Sequence, residues 1–123
     1  MDLSIDVDIN LDGLGAIADE LRDKVQRKVA FDIYSELVQT TPVDTGRARA
    51  GWSMDVRHGT YLPPIKEDGM PYQMPMPTVP QNAPWIIIYN NVEYIVPLNE
   101  GHSRQAPKRF VQNAVNRVKR GMA

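Results

Sequence analysis

Apolar and polar residues alternate at the start of the chain, where Leu3, Ile5, Val7 and Ile9 are separated by Ser4, Asp6, Asp8 and Asn10. A period of two puts the apolar set on one side, so the pattern predicts a half-buried strand. From about Leu14 to Thr40 the period lengthens. Ile17, Leu21, Val25, Val29, Ile33 and Leu37 recur at every fourth position, no proline intervenes, and Pro42 stops the run. The spacing predicts one long helix. At about 100° per residue its apolar side shifts midway. Ile17, Ala18, Leu21 and Val25 cover one face, but further on that face carries Asp32, Ser35, Glu36 and Gln39. There Val29, Ala30, Phe31, Ile33, Tyr34, Leu37 and Val38 take most of the remaining circumference. Two readings fit: a helix that meets both its own sheet and a neighbouring subunit, or a curved helix wrapping one core.

Trp52, Met54 and Val56 alternate with Ser53, Asp55 and Arg57, which predicts a second strand. The pattern then stops. Pro63, Pro64, Pro71, Pro75, Pro77, Pro80 and Pro84 lie between His58 and the next apolar run, with Met70, Met74 and Met76 among them. Proline removes a donor and fixes φ, so residues 58–84 are expected to form a long extended loop. Trp85 to Tyr89, the Asn90-Asn91 pair and Tyr94 to Val96 read as a hairpin. Pro107 suits the first turn of a last helix with Phe110, Val111, Ala114, Val115 and Val118 on one stripe. Lys108, Arg109, Lys119 and Arg120 face away from it. A chain of 123 residues with this order predicts a single α+β domain. Its mostly antiparallel sheet packs against one long N-terminal helix and a C-terminal helix, with a long Pro-rich loop between them.

Composition changes this picture little, but charge placement does. With no cysteine the chain has no disulfide framework, thiolate metal site or thiol nucleophile. No stretch reaches the ~20 apolar residues of a membrane span and the start lacks a signal-peptide pattern, so a soluble cytosolic protein without membrane partners is expected. The net charge of -1 argues against a dedicated nucleic-acid binder. The two ends are nevertheless opposed. Asp2, Asp6, Asp8, Asp12, Asp19, Glu20 and Asp23 stand against Arg22 alone, whereas Arg104, Lys108, Arg109, Arg117, Lys119 and Arg120 have no acid among them. Such asymmetry either leaves two solvated faces, steers a partner, or sets one subunit's acidic end against the next one's basic end.

Candidate chemistry is sparse. Asp8, Asn10, Asp12, Gly13 and Asp19 fall at EF-hand spacing, yet Asp19 replaces the long bidentate Glu, no entering helix fits upstream, and the alternation of Leu3 to Ile9 is that of a strand. A strand leading into an acid-rich helix start explains the same residues. His58 and His102 lack metal-ligand spacing, and Ser103 has no nucleophile-elbow context. Neither a catalytic group, nor a metal, nor a cofactor is expected. In TPVDTGRARAGW, Gly46, Arg47 and Arg49 would supply a phosphate with backbone N–H groups and guanidinium forks. The corner reading has Pro42 stopping the helix, Asp44 or Thr45 bonding local backbone and Gly46 taking turn dihedrals. Arg47 and Arg49 would then line an extended lead-in to Trp52, open to a partner's acids.

The same corner resembles the P-x-D-T-G-x-L/A-R-x-S/G-W motif of the head-tail joining and tail-completion proteins of long-tailed bacteriophages, the family that includes minor tail protein Z-like proteins. It is carried by Pro42, Asp44, Thr45, Gly46, Arg47, Arg49 and Trp52. A second segment, NNVEYIVPLNEGHSRQAPKRFVQNAV, resembles that family's last strand and final helix through Tyr94, Glu100, Gly101, Ala106, Pro107 and Phe110. In many relatives the acid sits one place earlier, where this chain has Asn99. The Pro-rich stretch has no family counterpart to lend it a role. The resemblance implies a structural virion protein rather than an enzyme. It would act in a homo-oligomeric ring at the neck or the tail end, beside other head-tail junction or tail proteins, and reside in host cytoplasm during assembly. Phe31, Tyr34, Val38, Met70, Met74 and Met76 are then the candidate subunit contacts. The alternative is a nucleic-acid-contacting module using the basic last helix on passing DNA; a prophage enzyme using His58 or His102 is a third option.

Overall fold

A computed structural model describes residues 4–9, 19–43, 46–67, 69–73, 77–101 and 108–122. Strand β1 (Ile5–Ile9) precedes the long helix α1 (Asp19–Thr40), a single turn α2 (Arg47–Ala50) and strand β2 (Ser53–Asp55). After the loop come strand β3 (Ile86–Asn90), a short helix α3 (Ile95–Asn99) and helix α4 (Phe110–Met122). The described strands form one antiparallel sheet in the order β1-β3-β2, so the last strand in sequence is the central one. This is the α+β arrangement the periodicities predict.

The expected hairpin is not formed. β3 has β1 on one edge and β2 on the other, so Tyr94 to Val96 has no ladder to join. The chain turns instead. The Asn90 Oδ1 accepts the Val92 N–H at 3.0 Å, Ile95 N–H reaches Val92 O, and α3 begins. Pro97 sits in its first turn, where a missing N–H costs nothing.

One core lies between the sheet and the helices. Ile9, Ile86 and Ile88 share one buried cluster with Val29, Ala30, Ile33 and Leu37 of α1, Phe110, Val111 and Ala114 of α4, and Trp52 and Ile95. The stripe on α1 runs through Gln26, Val29, Ala30, Ile33, Tyr34 and Leu37, the i, i+3, i+4 spacing of a buried face. The wide apolar arc of α1 thus has its second partner within the chain, because α1 packs on α4 as well as on the sheet. Arg117 of α4 donates to the Glu36 carboxylate across this contact at 3.0 Å. Among the described residues no helix is long and apolar enough to cross a membrane.

Candidate functional site

The corner is built from hydrogen bonds that the local sequence sets up only in part. Thr41 Oγ1 donates to Leu37 O at the end of α1, and the Trp52 indole Nε1 donates to Thr41 Oγ1 at 2.8 Å. Gly46 has φ 87, the left-handed conformation expected of a turn glycine. Asp44 and Thr45 lie outside the described residues. Beyond Gly46 the backbone does not extend. Arg47 to Ala50 make a helical turn, with Ala50 N–H bonded to Gly46 O at 2.9 Å, because Ala48 and Ala50 are small enough to be buried against the core.

That turn takes Arg47 out of the role expected of it. Arg47 is 6 % exposed. Its Nε donates to Pro63 O at 3.0 Å and its Nη1 pairs with the Glu93 carboxylate. This hydrogen bond holds the Glu93 carboxyl below its usual range, with help from its own backbone and from the Arg47 charge, against the small opposing effect of burial. Arg49 Nη2 donates to Gln39 O and Thr41 O, closing the carbonyl end of α1. Arg47 is thus occupied inside the subunit, whereas Arg49 is half-buried, spends Nη2 on two carbonyls and has no hydrogen-bond partner for its Nε among the described residues.

The second segment meets the corner. Asn90 is wholly buried; its Nδ2 donates to Ala48 O at 2.8 Å, while Glu93 reaches Arg47. Tyr94, expected to open a strand, stands instead just before α3 and is 38 % exposed. Glu100 is exposed after α3, and Gly101 has φ 101. Asn99 has the structural task here: its Oδ1 accepts Val111 N–H at 2.9 Å and its backbone oxygen accepts Arg109 N–H, capping α4 from outside the helix. A carboxylate at this place would serve the same end of the helix dipole. Phe110 is buried in the core, whereas Ala106 and Pro107 lie outside the described residues.

The remaining candidates divide. Phe31 is 49 % and Met70 53 % exposed. Tyr34 is buried, and that burial, followed by the nearby Tyr61, raises its hydroxyl pKa. Val38 packs on the core from its edge. Tyr34 and Val38 therefore belong to the subunit's own core, and Met74 and Met76 lie outside the described residues.

One cluster has no signal in the sequence. His58 stacks on Tyr89 with ring centroids 4.9 Å apart, its Nδ1 faces Asp6 Oδ1 and its Nε2 faces Asn91 Oδ1. Asn91 is oriented by giving its Nδ2 protons to Gly59 O and Tyr61 O, so its oxygen must face His58. With an acceptor at each ring nitrogen, the imidazolium is the form that satisfies both. The hydrogen bond to Asp6 raises the His58 pKa, burial opposes it, and the Asn91 bond and the Asp6 charge add to it. A raised histidine pKa gives stability that is present in full below about pH 6.5 and is lost as pH rises through the folded value. The gain is at most about 1 kcal/mol for so exposed a pair. Amide exchange at Gly59 to Tyr61 is expected to quicken beyond its intrinsic pH dependence as pH rises above neutrality, and His58→Gln to remove the excess.

The loop that follows is pinned at several points. Pro63 is fully buried, Asn82 N–H reaches Asp23 Oδ1 at 2.6 Å, and Val79 and Ala83 pack on the core. Along it Leu62, Ile65 and Met70 are displayed, with Ile65 81 % exposed. A cleft of about 680 Å³ also lies between α1 and α4, floored by Val25, Val29 and Val118. Asp8, at the first EF-hand position, is an exposed β1 residue, Asn10, Asp12 and Gly13 lie outside the described residues, and nothing is described of the Asp19 side chain. Among the described residues no group of three or more His, Asp or Glu side chains is placed to hold a metal ion. His102 and Ser103 are not among them. No protein-family model, curated protein or solved structure matches this chain.

Proposed function

We propose that the protein is a structural component of a tailed phage or prophage particle, acting by assembly in a neck or tail-completion ring rather than by catalysis. The observation that carries this reading is the anchored loop. It is held through Arg47, Asn91 and Asp23, yet it presents Leu62, Ile65 and Met70 to solvent. Large apolar groups on a fixed projection fit a surface that another protein covers. The resemblance of the corner and of Tyr94 to Phe110 to the head-tail joining family supports the reading, since the two segments brace each other around Arg47 and Asn90. Contact with DNA is a second reading, favoured by the exposed Lys108, Arg109, Lys119 and Arg120.

Light scattering and negative-stain imaging test the first reading, on the purified chain alone and mixed with tailed-phage connector and tail-end proteins. A ring is expected in at least the mixed sample. Deletion of Leu62 to Gln81 is expected to prevent it. A chain that stays monomeric in both samples, or rings that form equally well without the loop, would count against the proposal.

A further inference from the structure

We infer that the sheet face turned away from the helices is the seat for the basic face of α4 from a second copy of this chain. This deepens the assembly reading and rests on it for the order in which copies meet. The face is set by the register. Asp8 and Asp55 stand opposite Ile87 on its two sides, and Asp6 and Ser53 stand opposite Tyr89, so these side chains share one face. The other face, with Ile9, Ile86 and Ile88, is the one the helices cover.

The two rows of the outer face differ. The Tyr89 row is occupied: His58 lies on the ring and takes the Asp6 carboxylate. The Ile87 row is open. Asp8 and Asp55 are exposed and Ile87 is half-buried. Trp85, two residues before Ile87, is 45 % exposed, and its Nε1 donates to Val56 O at 2.7 Å beside Asp55. The result is an apolar strip with a carboxylate on each flank. A basic helix suits it: cations reach Asp8 and Asp55 while their alkyl stems lie over Ile87 and the indole.

The chain carries such a helix. α4 ends in Lys119 and Arg120, is preceded by Lys108 and Arg109, and contains no acid. All four are exposed, and none is in a salt bridge among the described residues. Arg117 is the cation of α4 already used, on Glu36 within the subunit. Copies meeting through like faces would repel, whereas the acidic sheet face of one attracts the basic helix face of the next. Such a contact joins different patches, so repetition gives a closed ring or an open filament. The charges lie at the rim, where screening over about 8 Å at physiological salt makes them set the salt dependence.

Sedimentation velocity on the full chain over a range of salt tests this. Self-association is expected at low salt and to weaken at least tenfold on raising salt by about one decade. Asp8→Lys with Asp55→Lys should abolish it, as should Lys119→Glu with Arg120→Glu. All four are exposed, so circular dichroism should be unchanged; Asp8→Asn with Asp55→Asn, which keeps shape, serves if the reversals unfold the chain. Mixing the two reversed variants, or joining all four changes in one chain, should restore association. A wild-type chain that is monomeric at every salt concentration, reversed variants that associate as wild type, or a failure to restore would each overturn the inference. So would a monomer that instead binds a short DNA duplex through these cations. Rings that form with Asp8 and Asp55 reversed would sink this contact and leave the assembly reading standing.

Discussion

Trp52→Ala is expected to destabilise the protein by about 3–5 kcal/mol. That is a large part of the 5–15 kcal/mol that usually separates folded from unfolded domains. Trp52 is wholly enclosed and its indole also donates to Thr41 Oγ1, whose proton goes to Leu37 O. The side chain thus joins the start of β2 to the last turn of α1 as well as filling the core. Alanine would leave a cavity and remove the donor together. Trp52→Phe separates the two effects. It keeps much of the volume and loses the donor, so about 1–2 kcal/mol is expected. Urea unfolding followed by circular dichroism gives both values. A midpoint for Trp52→Ala within experimental error of wild type would show that the corner does not depend on this residue.

Asn90→Ala should rank next, at about 2–4 kcal/mol, although the side chain is small. Asn90 has no exposed surface and spends its amide on two buried backbone groups, the Ala48 carbonyl and the Val92 N–H. Truncation leaves both without partners, and each such loss costs about 1–3 kcal/mol. Asn90→Asp gives a sharper test. The carboxylate still accepts from Val92 but faces the Ala48 oxygen with a charge, so the ionised form is disfavoured and the folded-state pKa is raised. Stability of this variant should therefore be greatest in acid and fall as pH rises through that raised value. Equal loss at all pH values would mean that the amide does not bridge these groups.

What was legible in the sequence was local. The alternation of Leu3 to Ile9 contained β1, the four-residue recurrence contained α1 up to Pro42, and the stripe from Phe110 to Val118 contained α4. Gly46 was readable as a left-handed turn residue because no other residue type adopts that conformation so readily. Arg47 and Arg49 looked open for a partner because their acceptors are distant: Pro63 and Glu93 for the first, the carbonyl end of α1 for the second. Tyr94 to Val96 looked like a strand because β-branched and aromatic residues favour one. It leads into α3 instead, since both edges of β3 are taken. His58 offered no pattern, since Asp6, Tyr89 and Asn91 come together only through strand pairing and the return of the loop.

The sequence by itself determined β1, α1, α4 and the proline-bound loop, and the opposed charge of the chain's two ends, because period, φ restriction and charge belong to neighbouring residues. Only the tertiary structure decided which polar groups were already engaged and which were left exposed. It enclosed Arg47, Asn90 and Tyr34 and left Asp8, Asp55, Trp85 and the cations of α4 exposed. Exposure depends on what the rest of the chain covers. That follows from the order β1-β3-β2 and the packing of α4 on α1, neither of which a local pattern encodes.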